Sequence, residues 1–179
     1  MDLAKGPFDY IHVRDMYGSI DDWSVLYKKI FHHLKPRGWF EDQEFDIRTH
    51  TDVEEIANDP NHVFNRWNQI FLDAGERMGK TLKIGIGSRM GDTMAKAGFV
   101  DGVERKFRLP MGACCRDPTL KQIGFLVLHF VEEGLEGFSL LILTQVLGWR
   151  YEECQLLISQ MQQALRDQRS HPYFEVLVE

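Results

Sequence analysis

The chain has 179 residues, 44% hydrophobic and 27% charged, which is enough length and apolar content for a soluble protein with a real core. Its formal net charge of −6 excludes a basic nucleic-acid groove, since phosphate binding needs a positive field. No run reaches the roughly 18 unbroken apolar residues of a membrane helix, because His129, Glu132, Glu133 and Glu136 interrupt the longest one, Ile123 to Leu147.

Phe8 to Val13, after Gly6-Pro7, is a short apolar and aromatic run that predicts a buried strand. In Asp21 to Leu34, the residues Trp23, Leu26, Tyr27, Ile30, Phe31 and Leu34 recur at helical spacing, and Pro36 and Gly38 end the segment. Trp39 to Ile47 predicts a second strand. A strand–helix–strand unit with short joints normally makes a right-handed parallel crossover. Residues 48–61 are polar and predict a loop. Val63, Phe64, Trp67, Ile70, Phe71, Ala74 and Met78 mark a strong amphipathic helix. A short helix over Ser88 to Ala97 ends at Gly98, and a third strand lies within Phe99 to Leu109. Thr119 to Glu133 and Ser139 to Leu147 predict two helices joined near Gly134 and Gly137. Glu152 to Arg166 is a further helix, and Tyr173 to Val178 a last strand. The fold expected is α/β: about four mostly parallel strands with helices on both faces, as one domain over 1–179. Segments of about 62–79 and 117–166 would form helical cap elements.

Three cysteines, Cys114, Cys115 and Cys154, lack zinc-site spacing, and a bridge between the adjacent pair would close a strained ring. Reduced thiols and no metal are expected. The N-terminus Met1-Asp2-Leu3-Ala4-Lys5 has no basic-then-apolar leader, so a cytoplasmic location is expected.

The polar residues that could carry chemistry gather at strand ends. His12, Arg14 and Asp15 close the first strand, at the end that faces the ligand crevice of an open α/β sheet. His12 can exchange protons near neutral pH and Arg14 can hold an oxyanion. An ion pair of Arg14 with Asp15 or Glu41, bracing the sheet edge, is the other reading. Glu41, Gln43 and Glu44 close the second strand, with alternation setting Glu41 and Gln43 on one face and Glu44 on the other. Each is a candidate base or substrate-orienting group. His12, Arg14 and Glu44 are the candidate catalytic residues. Asp15, Tyr17, Glu41, Gln43, Trp67, Phe71 and His129 are the candidate substrate contacts, with core packing the alternative for the aromatic ones. Lys83-Ile84-Gly85-Ile86-Gly87-Ser88-Arg89-Met90-Gly91 has glycine spacing that could cradle an anion, but no acidic residue precedes the glycines and a plain flexible connector is the favoured reading.

Several words along the chain resemble one family. They are Phe8-Asp9-Tyr10-Ile11-His12-Val13-Arg14-Asp15-Met16, then Asp22-Trp23-Ser24, and Leu34-Lys35-Pro36-Arg37-Gly38-Trp39-Phe40-Glu41. Ala97-Gly98-Phe99-Val100, Leu147-Gly148-Trp149 with Glu152-Glu153, and His171-Pro172-Tyr173-Phe174 complete the set. Together they resemble the second half of fungal secondary-metabolism methyltransferases of class I. The resemblance implies a Rossmann-like fold entered at its fourth strand. The strands that bind S-adenosylmethionine would precede it, so no cofactor is expected within this sequence. Ala113-Cys114-Cys115 departs from the Trp-Pro pair usual there. The function this implies is an enzyme that keeps a small-molecule pocket, for a polyketide- or terpene-like substrate. Without methyl transfer it would perform cyclisation, isomerisation or elimination. A fragment or subunit of a true methyltransferase, and a non-catalytic binding or regulatory protein, are the alternatives. A homodimer is expected through the open edge of the first strand, or by swapping the C-terminal helices.

Overall fold

The computed structural model describes residues 8–179; the expectations resting on Met1 to Pro7 lie outside them. Among these residues β1 is Phe8–Arg14, α1 Trp23–His33, β2 Leu34–Thr51, α2 Glu54–Ala57, α3 Val63–Arg77 and α4 Arg89–Ala97. β3 is Arg105–Pro110, α5 Pro118–Leu141, α6 Tyr151–Arg166 and β4 Pro172–Val178. The strands form one sheet in the order β1-β2-β4-β3.

β1 and β2 are parallel, as the crossover rule requires. The expectation of a mostly parallel sheet fails beyond that pair. Asp42 and Glu179 exchange both backbone hydrogen bonds, at 2.9 and 3.0 Å, the signature of antiparallel pairing between β2 and the end of β4. Met111, just past β3, donates to Pro172 at the start of β4, so these two strands also run oppositely. The sheet is mixed and mostly antiparallel. The cause is that β4 lies between β2 and β3 and runs against both, a place and a direction that strand–helix alternation does not encode.

The chain divides into two compact units. The first comprises residues up to Asp46, Lys80–Phe107 and Val176–Glu179. Asp22 caps α1 by accepting from the Val25 N–H, and α4 stops at Gly98, whose φ of 110° suits a residue without a Cβ. Trp23, Tyr27 and Ile30 of α1 and Met90 and Met94 of α4 are buried together with Ile84 and Leu177. Ile11 and Val13 of β1 and Phe40 of β2 pack on this cluster, so one face of the parallel pair is committed to the core.

The second unit comprises Ile47–Gly79 and Arg108–Glu175 and holds both expected cap segments. Its core is built from Phe64, Trp67, Phe71 and Ala74 of α3, Leu135 of α5, and Leu157, Ile158, Met161 and Leu165 of α6. Asn68 of α3 pins β2 by bonding both backbone groups of Thr49. Here two sequence expectations are corrected. The polar stretch after residue 47 continues β2 to Thr51 and then forms the short α2. The two helices expected around Gly134 and Gly137 are one, α5, which passes through both glycines and continues into a π-helical turn, Ile142–Val146. A glycine inside a helix costs only about 1 kcal/mol, and the flanking apolar residues outweigh that.

Candidate functional site

Alternation along β1 turns Tyr10, His12 and Arg14 away from the core cluster that takes Ile11 and Val13. The parallel register sets Tyr10 beside Trp39, His12 beside Glu41 and Arg14 beside Gln43. These six side chains form one polar and aromatic face of the first unit. His12 Nε2 stands 3.5 Å from Glu41 Oε1, with the side chains 38% and 45% exposed. The Tyr10 and His12 rings lie nearly parallel at 6.3 Å between centroids. Arg14 Nε is 3.5 Å from Asp15 Oδ2. Trp39 is 70% exposed, so the face offers an aromatic surface beside an imidazole–carboxylate pair and a guanidinium.

Glu44 lies on the opposite face, as the alternation of β2 requires. It is fully buried, and its carboxylate oxygens accept from Met16 N at 2.8 Å and Tyr17 N at 3.1 Å. It therefore fastens the turn that follows β1, where Asp15 adopts a left-handed φ of 54° and donates its N–H to Gln43 O. Burial, then its neighbour Asp42, drives the Glu44 carboxyl up to about 7, against the two backbone N–H groups. Tyr17 is partly buried against the core cluster and meets Phe45 edge-on. The structure thus brings His12, Arg14, Asp15, Glu41 and Gln43 together and sets Glu44 and Tyr17 behind them.

The remaining candidates belong to the second unit. Trp67 and Phe71 are 5% and 0% exposed and pack ring against ring at 4.6 Å, which commits both to the core. His129 is exposed on α5, and so are Phe125 and Phe130.

Two features escaped the sequence reading. Tyr10 and Trp39 are 52% and 70% exposed, which corrects the expectation that Phe8 to Val13 is a buried strand. Asp42, Glu44 and Asp46 form a buried acidic stripe of period two on β2, which reads as ordinary solvated charge in the sequence. The Tyr27 hydroxyl donates to Asp42 Oδ2, while Asp42 Oδ1 has no donor among the described residues. Burial raises the Asp42 carboxyl to about 6, and burial next to Asp42 raises the Tyr27 phenol.

The profile of a methyltransferase domain matches residues 2–100. The chain belongs to the methyltransferase-domain family. It is 32% identical over 176 residues to Methyltransferase pytC of Aspergillus terreus, covering 98% of this chain and 53% of that protein. It is 33% identical over 148 residues to Secondary metabolism regulator LAE1 of Cochliobolus heterostrophus, covering 82% of this chain and 47% of that one. A solved phosphoethanolamine N-methyltransferase 2 of Haemonchus contortus aligns with a TM-score of 0.43 at 18% identity, over 96% of this chain and 32% of that one. The chain spans about half the length of the curated relatives it matches.

The family implies S-adenosylmethionine, and the one glycine-rich segment of this chain does not fit it. A Cβ on Gly85 would collide with the Phe45 carbonyl, and one on Gly91 would stand 2.7 Å from a Glu179 carboxylate oxygen. Gly87 adopts a left-handed φ of 66°. Packing accounts for Gly85 and Gly91, and turn geometry for Gly87.

Proposed function

We propose that this chain is the substrate-handling part of a methyltransferase-like protein of fungal secondary metabolism, and that the exposed face of β1 and β2 receives the substrate. The observation that carries this reading is the His12–Glu41 pair, set on an aromatic face inside the segment that matches the family. The substrate is a small polyketide- or terpene-like molecule with a hydroxyl or enol. Tyr10 and Trp39 supply flat apolar surface for it. His12 removes the proton from the reacting oxygen, with Glu41 orienting the imidazole. Arg14, steadied by Asp15, holds the oxyanion that results, and Gln43 is a neutral partner for a second oxygen. Glu44 acts as a positioning residue: it fixes the turn from which Arg14, Asp15 and Tyr17 are presented.

The name of the Aspergillus terreus relative favours methyl transfer by the whole protein, in which proton removal at His12 prepares the accepting oxygen. A second reading is proton-driven cyclisation, isomerisation or elimination. It is favoured by a complete acid–base pair in a chain whose glycine-rich segment does not fit the methyl donor. Incubating the protein with S-adenosylmethionine and candidate hydroxylated polyketides, followed by mass spectrometry, separates the two. A product heavier by one methyl group supports the first, a rearranged product of unchanged mass the second. Unaltered substrates across such a panel would sink both.

A further inference from the structure

The second unit contains a cavity of about 260 Å³, and every residue lining it lies in that unit. Its origin in the sequence is a run of small side chains. Gly112, Ala113 and Cys114 follow β3, and Gly112 turns the chain with a φ of 104°. The Gly112 N–H donates to the Gly124 carbonyl of α5 at 2.8 Å, and a Cβ on Gly124 would collide with the Gly112 carbonyl. Loop and helix therefore meet backbone to backbone at that point. Beside the contact, the small side chains of the loop and Leu128, one turn further along α5, leave the space between them unfilled. The Met111 N–H donates to the Pro172 carbonyl at 2.9 Å, which fixes the wall next to β4.

The lining is apolar where it is deepest. Met111 and Leu165 are 1% and 2% exposed and Pro172 is buried, whereas Cys114 and Phe125 are exposed and form the rim. Arg166 is the one charged residue of the lining among the described residues, and its Nε donates to Glu132 at 2.6 Å. Water in such a space finds too few polar partners to replace its bulk hydrogen bonds. An apolar cavity of roughly 150 Å³ stays dry and takes up benzene, so by proportion this one accommodates about ten carbon atoms.

We propose that this cavity binds a compact hydrocarbon group of about ten carbons, entering past Cys114 and Phe125. The proposal does not rest on the role assigned to His12 and Glu41: binding reads the one and turnover the other.

The test is an NMR titration of protein carrying ¹³C-labelled Met and Leu methyl groups, with geraniol and, separately, 1-naphthol as probes. Glucose, similar in size but polar, is the control. The Met111 and Leu128 signals are expected to shift and saturate with one or both probes and to stay in place with glucose. Leu141 and Leu156, 65% and 62% exposed and outside the lining, report adventitious adsorption to apolar surface. A response to geraniol alone identifies a flexible prenyl-type ligand, and a response to 1-naphthol alone a flat ring. Ala113→Phe fills the cavity and should weaken binding about tenfold or more, whereas Phe130→Ser alters only the exposed side of α5 and should leave it unchanged. A second measurement needs no variant: saturating probe should slow alkylation of the Cys114 thiol by iodoacetamide, followed by peptide mass spectrometry. Shifts that never saturate, equal shifts at Leu141 and Leu156, full affinity in folded A113F, or alkylation of Cys114 unaffected by probe would each overturn the assignment.

Discussion

Asp42 is fully buried, accepts the Tyr27 hydroxyl on one oxygen and leaves the other without a donor, so its surroundings favour the neutral carboxyl. Its pKa rises from 3.8 to about 6 in the folded protein, with burial the dominant cause. Between those values the folded state holds a proton that the unfolded chain has released. The associated stability is fully present below the unfolded pKa of roughly 4 and is lost as the pH climbs through about 6. A difference of about two pH units corresponds to about 3 kcal/mol. Asp42→Asn keeps an acceptor for Tyr27 and carries no charge at any pH. It should match the wild type near pH 4 and exceed it by up to about 3 kcal/mol above roughly pH 7. Glu44 adds to this slope, because part of its own upward shift comes from Asp42 and disappears in the variant, which then loses less stability as the pH rises. Urea unfolding at a series of pH values measures the difference directly. A gap between variant and wild type that stays flat with pH would refute the reasoning.

Three further outcomes follow from packing and topology. Gly85→Ala forces a Cβ into the Phe45 carbonyl and should lower stability by roughly 2–4 kcal/mol, seen as a drop in melting temperature; an unchanged melting temperature would mean that this contact is absent. Trp67→Ala empties a core site against Phe71 and should cost about 3–5 kcal/mol in chemical unfolding, whereas a near-neutral effect would place the ring outside the core. β1 is at the end of the strand order with Phe8 and Tyr10 exposed, so we expect two copies to pair there; light scattering at micromolar concentration should give a dimer mass, and a monomer mass rules the pairing out.

Periodicity made most helices legible. Trp23 to Leu34 and Val63 to Met78 carry apolar residues at helical spacing, and Asp22 and Gly98 act as the caps their chemistry suggests. What local sequence could not convey was strand order, which depends on where β4 inserts and hence on contacts distant along the chain. It also could not distinguish a glycine that breaks a helix from one carried through it. Gly134 and Gly137 are of the second kind because nothing crowds them and strong apolar positions flank them.

The candidate site was half legible for a similar reason. Period-two alternation separates Glu41 and Gln43 from Glu44 correctly, and strand-end position brings in His12, Arg14 and Asp15. Burial of Asp42 and Glu44 runs against the usual preference of carboxylates for water, so no residue-type rule selects it. Trp67, Phe71 and His129 are far from the strand ends in sequence, and their apolar context fits a core and a pocket wall equally well. Only the tertiary arrangement, buried for the first two and exposed for the third, separates the cases.

The central claim is that His12, held by Glu41, performs proton transfer on a substrate bound to the face of β1 and β2. The direct measurement is turnover of the His12→Ala variant beside its unfolding free energy, using whichever substrate the product screen identifies. Because His12 is partly exposed and outside the core, its removal should change stability by no more than about 0.5 kcal/mol. Turnover should fall by roughly 100-fold or more, as for the loss of a general base, and Glu41→Gln should fall less. Full turnover in a stable His12→Ala protein would contradict the account.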